Sequence, residues 1–215
     1  VKKIVCENDT YLARAVIIAT GAHHRKLGAK GEEILTGAGV SYCATCDGAF
    51  FKGKTTAVIG GGDVAIEDAI FLARMCSKVY LIHRRDELRG AKSLQNRLMS
   101  LDNVEVIWDT VVEEIVGSDK VEALKLNNKK TGEKSELKVD GVFVAVGIEP
   151  DSGQYAGQVE TDNQGYIIAG EDGRTSVDGV FAAGDVRTKA LRQIITAAAD
   201  GANCITSAQS YLTRI

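Results

Sequence analysis

The stretch Thr55-Thr56-Ala57-Val58-Ile59-Gly60-Gly61-Gly62-Asp63-Val64-Ala65-Ile66-Glu67 sets the architecture of this chain. Its first five residues form a short β-branched run that reads as a buried strand, and three glycines follow. From Asp63 to Met75 the apolar positions Val64, Ala65, Ile66, Ala69, Ile70, Leu72 and Ala73 are interleaved with polar Glu67, Asp68 and Arg74 at helical spacing. The reading is strand, glycine turn, helix. Gly60, Gly62 and Ala65 fall on a G-x-G-x-x-A fingerprint, in which each small residue has its own use. Gly60 permits the tight turn, Gly62 lets a pyrophosphate approach the backbone, and Ala65 lets the helix lie close to the strand. Asp63 opens the helix, whose first N–H groups and positive dipole end face the same turn. A purely structural glycine turn is the plainer alternative; the strand–turn–helix–strand setting favours a dinucleotide site.

The next strand, Lys78–Ile82, ends where the adenosine ribose of a bound dinucleotide is expected. A site selective for NAD places Asp or Glu there to accept from the 2′-hydroxyl. This chain has His83-Arg84-Arg85-Asp86-Glu87-Leu88-Arg89 instead. His83, Arg84, Arg85 and Arg89 are candidates for a 2′-phosphate, because guanidinium forks match its oxygens bidentately. The expected cofactor is NADPH. The competing reading is a solvated basic stretch paired with Asp86 and Glu87.

Upstream, Cys43-Ala44-Thr45-Cys46-Asp47-Gly48 holds the chemistry. Two residues between cysteines allow a small reducible disulfide when the segment starts a helical turn. Asp47 could deliver a proton to a leaving thiolate, a role that requires its pKa to be raised by partial burial. A zinc site needs further ligands at suitable spacing, and His23-His24 and the lone His83 do not supply them. Two structural thiols remain the other alternative, and no metal is expected. Cys6, Cys76 and Cys204 read as buried small apolar residues. A dithiol takes no easy hydride from nicotinamide, so a flavin relay is expected on chemical grounds.

Further out, Ala15–Gly21, Gly141–Gly147 and Gly179–Asp185 read as glycine-ended strands, and Leu191–Leu212 as a long Ala-rich helix. An antiparallel region is expected from Val111–Val116, Val121–Leu126 and Lys138–Val146. The alternation of strands and amphipathic stretches indicates an α/β protein with parallel strands. At 215 residues, 45% hydrophobic and 26% charged, the composition is that of a globular chain with a core. A net charge of −3 argues against a nucleic-acid surface. No apolar run approaches the roughly 20 residues that span a bilayer. Val1–Val5 is not a signal peptide, which gives a cytoplasmic expectation. The absence of an initiator Met, with residues 1–21 reading as the middle of a domain, suggests a piece of a longer chain.

Taken in order, Cys43–Gly48, Gly60–Glu67, His83–Asp86 and Gly179-Val-Phe-Ala-Ala-Gly-Asp185 resemble the bacterial low-molecular-weight thioredoxin reductases. The resemblance implies a Rossmann-like NADPH domain inserted in an incomplete FAD-binding domain, as in flavoproteins with two dinucleotide-binding domains. It assigns residues 1–26 to the end of the first FAD half, 27–147 to the NADPH domain and 148–215 to the second FAD half. It places Thr20, Gly21, Gly184, Asp185, Arg192 and Gln193 against FAD. It further implies electron flow from NADPH through FAD to Cys43/Cys46 and on to thioredoxin, a homodimer, and a rotation between domains. The family's first FAD glycine fingerprint would precede Val1, so weak FAD binding by this chain alone is expected. Lys30 stands where the family usually has proline. A related CxxC flavoprotein, such as the flavoprotein subunit of alkyl hydroperoxide reductase, and a non-catalytic NADP-binding piece are the rival readings.

Overall fold

The computed structural model describes residues 1–214. The chain divides into two compact units, one formed by residues 24–147 and the other by residues 1–23 with the segment from 148 onward.

The 24–147 unit is built on a five-stranded parallel sheet. Its strand order is Val40–Ser41, Gly141–Ala145, Thr55–Gly60, Lys78–Ile82, Val104–Ile107. Alternate side chains of the fingerprint strand leave on opposite faces, as the twofold period of a strand requires. Val58 joins a core with Val79, Leu81 and Phe143 beneath the helix Asp63–Ala73. Ala57 and Ile59 join a second core with Val142 and Val144 against a separate antiparallel sheet. Both faces are therefore covered, which explains why Thr56–Ile59 is buried without alternation. The antiparallel sheet has the order Lys134–Lys138, Ala123–Asn128, Thr110–Val116.

That last sheet corrects the sequence expectation. Lys138–Val146 is not its third strand; Lys134–Lys138 is, and Gly141–Ala145 instead sits within the parallel sheet, between Val40–Ser41 and Thr55–Gly60. Four consecutive buried residues, Gly141–Val144, distinguish the two strands. The helix Lys92–Met99 escaped the sequence reading, because only Leu98 on it is fully buried.

In the other unit, Val16–Ile18 pairs in parallel with Val180–Ala182. The helix Ile194–Leu212 covers one face, where Cys204 and Ala208 pack on Phe181 and Ala183. Ile18, Ile167, Ala182 and Val186 form the core on the other. Lys2–Val5 and Thr10–Ala13 make an antiparallel hairpin. Cys6 lies in its turn and is exposed, contrary to the expectation of a buried thiol; Cys76 and Cys204 are buried, and burial pushes both thiols up.

Candidate functional site

Three candidate segments of the 24–147 unit leave strands of one parallel sheet in the same direction. Ser41 leads to Cys43, Gly60 ends the fingerprint strand, and Ile82 leads to Arg84. The redox pair, the glycine turn and the basic run thus share the carboxyl edge of the sheet, where open α/β sheets receive ligands.

Cys43 and Cys46 form a disulfide, with Cα atoms 5.3 Å apart. Cys43 caps the single helical turn Ala44–Asp47, and its sulfur accepts from Cys46 N at 3.2 Å. A backbone donor at that sulfur favours a thiolate after reduction. Cys46 is exposed and Cys43 half-buried. Asp47 is half-buried and accepts from Ser41 Oγ at 2.7 Å, while Ser41 Oγ accepts from Cys43 N at 3.1 Å. Ser41 was missed by the sequence reading. It is 6% exposed and fixes the carboxyl and the backbone of the pair together. A small hydroxyl residue two positions before the first cysteine was the available signal.

The glycine turn shows what each small residue does. A Cβ on Gly60 would lie 2.4 Å from Ala145 O and 2.6 Å from Ala65 Cβ, so this position serves strand–helix packing. A Cβ on Gly61 would lie 2.2 Å from the His83 ring. Nothing stands within 4 Å of the space a Cβ on Gly62 would fill. That open cradle beside the N-terminus of Asp63–Ala73 fits a phosphate approaching the backbone. Asp63 is otherwise engaged: its Oδ1 accepts from Ala91 N at 2.7 Å and ties down the start of the next helix.

The basic run divides. Arg84, Arg85 and Arg89 are exposed and form no ion pair among the described residues. Asp86 pairs with Lys130 instead, and the hydrogen bond from Lys130 holds its carboxyl below the usual range. His83 is 4% exposed and lies edge-on to Trp108, with ring centroids 6.5 Å apart. Burial pushes its imidazole down, with backbone hydrogen bonds at Gly60 and Glu87 acting the other way. A neutral ring under Gly61 supports the turn, while the arginines remain available to an anion.

In the other unit a cleft of about 470 Å³ is lined by Gly21, Ala22, Gly184, Asp185, Ala197 and Gly201, among others. Gly21 and Gly184 both have φ 77, a conformation that favours glycine. Asp185 Oδ1 has no hydrogen-bond partner, which suits an acceptor awaiting ligand hydroxyls. Thr20, Arg192 and Gln193 do not line this cleft. Thr20 Oγ1 donates to Asp151 O at 2.6 Å, and the Arg192 guanidinium lies 3.9 Å from the Tyr166 ring centroid. Gln193 caps Ile194–Leu212 in a reciprocal pairing with Thr196. Each makes a contact within its own unit that the sequence did not announce.

Among the described residues no group of three or more His, Cys, Asp or Glu is placed to hold a metal ion, and no helix is long and apolar enough to cross a membrane.

Comparison with known proteins agrees with this geometry. Residues 1–201 match the pyridine nucleotide-disulphide oxidoreductase family. A thioredoxin reductase of Listeria innocua is 49% identical over the whole chain, which spans 67% of that relative. A thioredoxin reductase of Bacillus subtilis is 46% identical over the whole chain, spanning 68% of it. The crystal structure of thioredoxin reductase from Streptococcus pyogenes superposes with a TM-score of 0.94 at 48% identity, covering 99% of this chain and 70% of that one. The expected cofactor pair, NADPH and FAD, is the one such enzymes use. With its disulfide, open glycine cradle and parallel sheet in these positions, the chain belongs to the pyridine nucleotide-disulphide oxidoreductases, among the thioredoxin reductases.

Proposed function

We propose that this chain carries the redox centre of an NADPH-dependent enzyme that reduces the disulfide of thioredoxin. The observation that bears most weight is the Cys43–Cys46 disulfide at the same sheet edge as the Gly62 cradle. NADPH binding is assigned to Gly60, Gly62, Ala65 and the helix N-terminus at Asp63, with Arg84, Arg85 and Arg89 on the 2′-phosphate. FAD binding is assigned to Gly21, Gly184 and Asp185, with Thr20, Arg192 and Gln193 at its margin. Bound FAD supplies the relay, since it accepts a hydride and passes on two electrons. Residues 1–26 and 148–215 then serve FAD, and 27–147 serve NADPH.

After reduction, one thiolate of the pair attacks the thioredoxin disulfide and forms a mixed disulfide, and the second thiol displaces reduced thioredoxin. The Cys43–Cys46 bond re-forms as thioredoxin gains two electrons and two protons. Asp47, held by Ser41, is placed next to the pair to hand over a proton. A homodimer in the cytoplasm completes the proposal; it rests on the family resemblance and on a disulfide that must be reduced and reoxidised in use.

The test uses the full-length protein. Cys46→Ser should abolish NADPH-driven thioredoxin reduction, at least about 1,000-fold, as expected when a residue of a covalent relay is removed. NADPH should still reduce the flavin. Retained thioredoxin turnover would exclude the relay.

A further inference from the structure

Asp200 sits on the helix Ile194–Leu212 and is 3% exposed. Its Oδ2 accepts from Gly184 N at 2.9 Å, Arg187 Nε at 2.9 Å and Lys189 Nζ at 2.8 Å, and its Oδ1 from Arg187 Nη2 at 2.6 Å. Arg187 is 2% exposed; its Nη1 donates to Thr188 O at 2.9 Å and its Nη2 to Glu171 at 3.1 Å. The Lys189 side chain is 5% exposed. Taking three charged groups out of water costs several kcal/mol per ion before pairing. Apolar side chains would fill the same space without that cost, so stability alone is a poor reason for the cluster.

Its local effect is specific. The Gly184 N–H is turned to Asp200 and the backbone held at φ 77. The next residue is Asp185, which lines the cleft with an unpartnered oxygen. Ala197 and Gly201, on the same helix as Asp200, line that cleft too. One buried carboxylate therefore ties the helix wall of the cleft to the turn that carries Asp185.

We infer that Asp200 is a positioning residue for flavin binding, setting the Asp185 carboxylate through the Gly184 N–H, with Arg187 and Lys189 holding Asp200 in place. The inference rests on the reading that Asp185 receives FAD, and its test separates the two. In flavin-free full-length protein, the FAD dissociation constant and the thermal unfolding midpoint are measured for Asp200→Asn, Asp185→Asn and the double variant. Asp200→Asn should raise the FAD dissociation constant about tenfold or more when Asp185 is intact and less than about twofold when Asp185→Asn is already present, the coupling expected of groups acting in series. Its effect on the unfolding midpoint should persist in both backgrounds, and NADPH affinity should be unchanged. Equal weakening of FAD in the two backgrounds, or none in either, overturns the inference. An Asp185→Asn variant that binds FAD normally overturns the underlying reading instead. If Asp200→Asn does not fold, Asp200→Glu keeps the charge, displaces the carboxylate by one methylene, and goes through the same cycle with the same expectation.

Discussion

At Gly60-Gly61-Gly62 the backbone is confined by neutral neighbours, Ala65, Ala145 and the His83 ring. At Gly184 it is confined by a carboxylate 16 residues downstream that is shared with two buried cations. The first turn needs only small residues in a local pattern. The second needs charges that meet after the unit has folded. A steric turn tolerates changes of salt, whereas a turn held by charge depends on every partner keeping its protonation state.

The largest expected effect probes the ligand side of the steric turn. Arg84→Ala with Arg85→Ala should raise the NADPH dissociation constant about 100-fold, since charge-assisted hydrogen bonds contribute about 1.5–3 kcal/mol each. The constant for NADH should move little, and quenching of the half-buried Trp108 offers a readout. Equal weakening of both nucleotides would remove the 2′-phosphate from the assignment.

Next, the turn itself can be dissected. Gly61→Ala should destabilise the fold by about 2 kcal/mol, because its Cβ meets a packed, buried ring. Gly62→Ala should leave stability nearly unchanged and weaken NADPH, because the space it fills is empty. Denaturant unfolding of both variants, with NADPH titrations, would expose a reversed pattern.

The charged turn has its own signature. Burial pushes Asp200 up, but hydrogen bonds from Arg187, Lys189 and Gly184 N–H outweigh it and hold the carboxyl at about 2. A folded-state pKa below the unfolded one stabilises above about pH 4 and loses that stabilisation as pH falls toward 2. The stake is about 2 kcal/mol. Acid titration should show an apparent group between about pH 4 and 2 that Asp200→Asn removes; an unchanged profile would contradict it.

A smaller effect lies on the fingerprint helix. Burial, with the charge of Glu67, raises Asp68 to about 6. Here the protonated acid is favoured in the fold, so stability falls as pH rises from about 4 through 6. Solvent screening at this half-buried position reduces what that rise contributes, so Asp68→Asn should stabilise the protein by about 1 kcal/mol at about pH 8 and have no effect below about pH 4, measured by denaturant unfolding. Loss of stability on the alkaline side would point to an unrecognised partner.

The contrast between the turns also explains what could be read in advance. Gly60, Gly62, Ala65 and the Cys43/Cys46 pair act through spacing along the chain, and spacing is written in sequence. The parallel sheet followed from its apolar strands, although Gly141–Ala145, read as a glycine-ended strand, was also counted in the antiparallel region, and Lys134–Lys138 was missed where one β-rich stretch held two strands of different sheets. Asp200, Arg187 and Lys189 carried no signal in the sequence, because nothing local marks a charge whose partners arrive from another element. His83 read as part of a basic run, yet strand register buries it and leaves Arg84 and Arg85 outside. Lys30 replaces a usual proline without penalty: its N–H donates to Glu113 O at 3.1 Å, a bond proline could not make.

The most direct measurement counts thiols after anaerobic addition of one equivalent of NADPH to the oxidised full-length protein. Two new thiols should appear per NADPH consumed, mapping to Cys43 and Cys46, and thioredoxin should then remove both. NADPH oxidation that leaves the Cys43–Cys46 bond intact would contradict the account.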